Sequence, residues 1–281
     1  MPKPSEASRW PSKPRALALG LAVSALPALA DSDRLTALLA GEYNSNEQVW
    51  QQGLDGAAEG VRRHWRFQKD GDDRLDLAIG QGQAAPDAPG WSFAFATERQ
   101  GWIAQVSGAS QCRYAWRSTP AGFTGEALDG GCAGLPGRIS VDEAGLEAVW
   151  PDGEAERARR VRHYRGWVAL KRSHLDAEAA DDDYVFVREA DWHDEGFLLP
   201  VLDDGRPTGY AVELARLTYQ NTRTSILKLG VIELATGDTL SYAWAEPGAD
   251  RIGINLRWIQ AGLTRVAEPQ QPTSRNEGPS P

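Results

Sequence analysis

Residues that build reactive or metal-binding sites are scarce in this chain, which holds two cysteines, one methionine and four histidines. With no histidine or third cysteine at ligand spacing beside Cys112 or Cys132, no metal site is expected. No phosphate-cradling glycine loop, His-Glu-x-x-His helix or Ser/His/Asp signature occurs, so hydrolase, kinase and dehydrogenase chemistry has no sequence signal. His193-Asp194-Glu195 and His174 stand too isolated to suggest a metal or nucleophile site, and no catalytic residue is assigned. Long apolar runs are also missing beyond the first thirty residues, so no membrane span is expected. Basic charge is in deficit: the net charge is −9. That balance argues against nucleic acid and against anionic lipid as partners.

The first thirty residues read as a secretory leader. Arg9, Lys13 and Arg15 precede an apolar run from Ala16 to Leu26, and Ala28-Leu29-Ala30 fits a small-x-small cleavage site. The leader carries a net +3, which leaves −12 on the remainder. Export to the periplasm or beyond follows, and an oxidising compartment favours a Cys112–Cys132 disulfide. The alternatives are two buried thiols, or one thiol that transiently accepts a ligand.

What is plentiful is alternation. In Gln111–Asp152, Cys112, Tyr114 and Trp116 share one face of a strand, and Arg113, Ala115 and Arg117 share the other. Thr119-Pro120-Ala121-Gly122 is a turn, Phe123–Leu128 a second strand, and Gly130-Gly131 a bend. Strands near Arg138–Val141 and Leu146–Trp150 complete an antiparallel meander. Upstream, Asp31-Ser32 starts a helix bearing Leu35, Leu38 and Leu39 that stops at Gly41. Asn44 with Glu47 resembles a capping box for a second short helix. Further strands are expected at Val61–Gln68, Arg74–Ile79, Trp91–Thr97 and Trp102–Ser107. The charged stretch Ala155–Arg160 is expected as a short helix and Val161–Leu170 as a strand. Six more strands are expected between Tyr184 and Trp258.

Many short strands and little helix give an all-β fold, barrel or sandwich. The organisation expected is a leader over 1–30, a β-barrel domain over 31–170, a linker over 171–183, a C-terminal β module over 184–267 and a disordered tail over 268–281.

Two segments carry a family resemblance: LTALLAGEYNSNEQVWQQ (Leu35–Gln52) and the meander with Cys112, Phe123, Gly125, Cys132 and Trp150. With Gly41, Tyr43, Asn44 and Gln48, they resemble the CpcT/CpeT chromophore lyase family over about residues 33–170. The resemblance implies a calycin- or lipocalin-like antiparallel barrel that holds an open-chain tetrapyrrole, and attachment of bilin to a cysteine of a partner protein. Three features depart from it. The Tyr-Arg-Gln-Arg run of that family has no clean match between Val61 and Gln111. The leader points to export, whereas bilin attachment is cytoplasmic. Residues 184–267 have no counterpart in the family core.

The ligand-binding candidates are Tyr43, Trp65 and Trp116, with Arg160, Arg162 and Arg165. Aromatic rings can line a pocket for a flat ligand, and Trp91, Trp102 and Trp167 belong to the same set. More often such rings are the core of a β protein. Guanidinium groups can clamp the propionates of a tetrapyrrole, or they can belong to a solvated face that balances nearby acids. Glu42 is a candidate acid or base toward a bilin, and Asn44 a helix cap. No cofactor is required beyond a bound bilin or tetrapyrrole, and the partner expected is a small molecule. The other readings are a non-catalytic periplasmic barrel for a small ligand, and a structural envelope protein.

Overall fold

Ten strands close into one antiparallel barrel, and eight more form two four-stranded sheets beside it. The structure is a computed structural model that describes residues 29–57, 60–98, 101–128 and 130–267. Most of the expected leader and all of the expected tail lie outside the described residues. No helix among the described residues is long and apolar enough to cross a membrane.

The barrel strands are β1 (Gly41–Asn44), β2 (Arg63–Lys69), β3 (Arg74–Gln81), β4 (Trp91–Glu98), β5 (Gly101–Ser107), β6 (Cys112–Ser118), β7 (Gly122–Ala127), β8 (Arg138–Asp142), β9 (Gly145–Val149) and β10 (Ala155–Arg160). From β2 to β10 each strand pairs with the next. The four residues of β1 close the ring by pairing with both β2 and β10: Tyr43 lies opposite Trp65 on one side and Arg160 on the other. Alternation along β1 sends Tyr43 into the barrel and Glu42 and Asn44 to the outer side.

Two expectations change here. Ala155–Arg160 is a strand, with Glu156 and Ala158 buried and Arg157 exposed, a period of two that its charge obscures. Glu42-Tyr43 is part of a strand, where the sequence suggested a connection between helices. The helix α1 spans Leu29–Leu39 and the helix α2 Asn46–Leu54. Ser45, whose hydroxyl bonds the Arg63 backbone and not the helix, occupies the α2 cap position expected of Asn44. Asn44 Oδ1 accepts the Asn46 N–H at 2.9 Å, and Glu47 turns away to accept the Thr218 N–H at 3.1 Å.

The barrel ends at Arg160, ahead of the Val161–Leu170 strand grouped with it from sequence. That strand, β11 (His163–Lys171), pairs with β12 (Tyr184–His193) and β18 (Ile259–Arg265), and β17 (Arg251–Asn255) completes the sheet. The second sheet orders β13 (Glu195–Asp203), β14 (Arg206–Tyr219), β15 (Thr224–Glu233) and β16 (Thr239–Ala245). The two sheets share one core that includes Tyr164, Leu170, Trp192, Leu214, Leu229 and Ile254, which makes a sandwich. Lys171–Asp183 is therefore a connection within one sheet, held by Arg172 to Asp183 and Asp203.

Both ends of the barrel are covered. At one, α1 lays Leu35 and Leu39 into the barrel core. At the other, the segment 130–137 folds inward, with Leu135 buried and Pro136 accepting the Tyr114 hydroxyl. The disulfide Cys112–Cys132 ties that segment to β6, and no cysteine is free. We expect mass analysis under non-reducing conditions to find no alkylatable thiol. The double variant C112A/C132A is expected to lose about 3 kcal/mol of stability in chemical denaturation, the loop-closure entropy of a link of this span.

Candidate functional site

The barrel interior combines a connected set of aromatic side chains with aliphatic ones such as Leu75, Leu77, Ile139 and Leu146. Trp150, Trp65, Phe67 and Phe93 form an unbroken chain of ring contacts, at 5.9, 6.3 and 6.2 Å. It continues through Tyr114 to Trp116, at 5.8 and 6.4 Å. Each such side chain contributes roughly 1.5–3 kcal/mol by burial, as does each large aliphatic side chain packed beside it. Gly125 lies opposite Trp116 on the neighbouring strand, and a Cβ there would stand 2.5 Å from the indole. Glycine is needed because the ring lies on the bare backbone.

The structure separates the six ligand-binding candidates. Tyr43, Trp65 and Trp116 do meet in the barrel, as fully buried members of its packing. Arg160 caps α1: its guanidinium donates to the carbonyls of Leu38 and Ala40 at 3.2 and 2.7 Å, and the Tyr43 hydroxyl also bonds Leu38. These bonds satisfy carbonyls that a helix C-terminus leaves open, and they place positive charge where the helix dipole favours it. Arg162 leaves the barrel for Asp194, at 2.5 Å. Arg165 is exposed on the sandwich and pairs with Asp191 at 2.8 Å. The propionate clamp expected of these arginines is thus not assembled. Trp167 also lies outside the barrel, on the sandwich surface.

The indole N–H groups of the barrel fall into two sets, two that share one buried carboxylate and three without an acceptor among the described residues. Trp65 and Trp150 both donate to the buried carboxylate of Glu156, at 2.8 and 3.1 Å. Trp102 and Trp116 are cross-strand neighbours, 5 % and 2 % exposed, at the end covered by α1. Among the described residues, neither has an acceptor for its Nε1–H. Trp91, near the 130–137 segment, is alike in this. Leaving a buried donor without an acceptor costs about 1–3 kcal/mol. Phe123 packs edge-on against Trp102 at 5.5 Å. It also lines a half-open groove of about 290 Å³, together with Val141, Leu146 and Ala158. The groove therefore reaches the layer of rings next to the unsatisfied donors.

Sequence reasoning missed the charged junction between barrel and sandwich. His193, Asp194 and Glu195, set aside as isolated, are all buried. Glu195 has no solvent exposure and receives Arg159 from the barrel through both oxygens, at 3.0 and 3.2 Å. Arg216 from the sandwich donates to it at 2.7 Å. Arg62 donates to the carbonyls of Glu195 and Gly196. Gly196 adopts φ +68, and a Cβ on it would stand 2.4 Å from Asn46 Oδ1, so only glycine fits there. Burial pushes the Glu195 carboxyl up to about 7 against the pull of Arg159 and Arg216. Burial holds His193 down to about 4. Its Nε2–H donates to the Gln83 carbonyl at 2.6 Å, and its Nδ1 accepts the Glu195 N–H at 3.2 Å. The available signal was a run of arginines in an acidic chain, which requires buried acids elsewhere.

The two shifts act on stability with opposite signs. The Glu195 contribution is full below about 4.5 and is lost as pH rises through about 7. The His193 contribution is full above 6.5 and is lost as pH falls toward about 4. Relative to a His193→Gln variant, the wild-type chain is expected to lose about 3 kcal/mol between pH 6.5 and 4, measured by urea unfolding at each pH. Glu195→Ala removes the acid shared by Arg159 and Arg216 and leaves them only Glu47 and Asp194, at 3.3 and 3.5 Å, and about 3 kcal/mol of destabilisation is expected in the same assay at pH 7.5.

No family model and no curated protein matches the chain. Among solved structures it is similar to the T-type phycobiliprotein lyase CpeT from Prochlorococcus phage P-HM1. The TM-score is 0.34 and the identity 10 %, over 46 % of this chain and 96 % of that one. A likeness of that degree carries no argument about what this chain does.

Proposed function

We propose that the protein binds a small, largely apolar ligand carrying hydrogen-bond acceptors, at the α1 end of its barrel. The observation that carries this is the pair of buried indole donors on Trp102 and Trp116, for which the described residues supply no acceptor. A carbonyl or carboxylate oxygen of a ligand would satisfy them, and the aromatic layer around Phe123 and Phe95 would take its apolar body. Open-chain tetrapyrroles fit that description, with lactam oxygens on a flat conjugated skeleton. They are also the class that the sequence resemblance implies. Attachment of such a ligand, as a chromophore lyase would perform it, would need a cysteine on another protein, because both cysteines here are joined in the disulfide. We take retention and release of the ligand as the function, and transfer as the further step.

The continuous ring packing favours a second reading, a solid barrel with a structural role. One titration separates the two. Biliverdin, phycocyanobilin and haem are each added to the full chain while tryptophan fluorescence and ligand absorbance are followed. Stoichiometric binding of at least one is expected. Trp102→Phe and Trp116→Phe should each weaken it about 3- to 10-fold, the loss of one net hydrogen bond. The unliganded variants should lose at most about 1–2 kcal/mol of stability, because removal of an unsatisfied donor offsets part of the packing lost to the smaller ring. No binding, or equal binding by both variants, leaves the structural reading.

A further inference from the structure

A separate cleft lies between the barrel and the sandwich, with a volume of about 230 Å³ and one side open. Glu42, His64, His163, His193, Trp192 and Phe197 are among the residues that line it. We propose that this cleft binds a small organic cation, a protonated amine, with Glu42 as its counter-ion.

The carboxylate is held by a chain of buried polar groups. Asn44 Oδ1 accepts from Arg62 Nε and from the Asn46 N–H, both at 2.9 Å, which fixes which end of the amide is which. Its Nδ2 must then donate to His64 Nδ1, at 2.9 Å. The His64 proton therefore sits on Nε2 and is given to Glu42 Oε2, at 2.9 Å. Both ring nitrogens of His64 are committed, so it offers no lone pair to a metal. Asn44 and His64 are buried, and Glu42 is the end of the chain that meets solvent. Burial would raise the Glu42 carboxyl, but the hydrogen bond from His64, with the neighbouring His163 adding to it, pulls the other way, and the group is held below the usual carboxylate range. This is a preorganised anion supported from behind, the arrangement a binding site needs.

The remaining charges favour a cation. Arg66 donates to the carbonyls of Pro86 and Asp87 and stands 4.0 Å from the Asp87 carboxylate. Arg165 is paired with Asp191. His163 approaches Glu42 at 3.7 Å and is half exposed. The charge left without a permanent opposite is that of Glu42, and an anionic ligand would meet it directly. The His193 ring lies 5.0 Å from Phe197 and 5.2 Å from His64, giving aromatic surface next to the carboxylate. An ammonium gains from both the ion pair and the ring faces. The volume corresponds to roughly eight water molecules, which sets the size of ligand at a short alkylamine.

Calorimetry on the full chain at pH 7.5 tests the assignment with n-butylammonium and tetramethylammonium, and with 1-butanol and acetate as the neutral and anionic controls. One-to-one binding of an ammonium is expected, with no heat from either control. Glu42→Gln should weaken it at least tenfold. Phe197→Ala, which leaves the Asn44–His64–Glu42 chain intact, should weaken it several-fold and covers the case in which the first variant does not fold. Trp102→Phe and Trp116→Phe should leave amine binding unchanged, so this site and the barrel site fail or hold independently. Absence of ammonium binding, or equal affinity in folded Glu42→Gln, overturns the proposal.

Discussion

A carboxylate with no access to water, shared by arginines from two different halves of the chain, sets the architecture of this protein. Glu195 belongs to the sandwich, and Arg159, at 3.0 Å, belongs to the last barrel strand. Burying any of these charges singly would cost several kcal/mol, so each half is complete only with the other present. The surrounding bonds serve the same end. Arg62 reaches across to the 195–196 backbone, Arg216 donates to the Arg160 carbonyl at 2.9 Å, and Gln83 bonds both backbone groups of Leu198. The junction also brings Glu42, His64 and His193 to one cleft.

The barrel solves a different problem. Ten strands enclose a wide interior, and this sequence fills it with a connected set of rings set among aliphatic side chains. Glu156 accepts the indoles of Trp65 and Trp150 and Trp91 stands alone without an acceptor near the 130–137 segment, whereas at the α1 end two adjacent indoles, Trp102 and Trp116, donate to nothing in the described chain. That asymmetry, more than barrel shape, is what supports a ligand at the α1 end. Barrels of this kind occur with and without interior ligands.

Much of the fold could be read from the sequence. Cys112, Tyr114 and Trp116 alternate with polar neighbours, and the pattern gave their common inward face. Two cysteines in a chain with a leader-like start gave the disulfide. What escaped has physical reasons. β1 has four residues, too few for periodicity to register. β10 alternates correctly, but arginines at 157, 159 and 160 masked the small buried residue between them. The junction was illegible because its partners are distant in sequence: Arg159 and Glu195 stand 36 residues apart. Nothing local marks Asp194 as the anchor of Arg162. A histidine between two acids reads as surface until the opposing arginines are placed around it.

β1 has a consequence of its own. Its residues serve two environments in strict alternation, with Tyr43 in the aromatic interior and Glu42 and Asn44 in the polar cleft. A shift of one position would exchange those faces, setting two polar groups among the rings and a tyrosine among the histidines. Loss or gain of a single codon between Leu39 and Asn44 would thus undo barrel and junction together. In a lineage of such proteins, insertions and deletions should collect in the outer turns and leave this short stave at constant length.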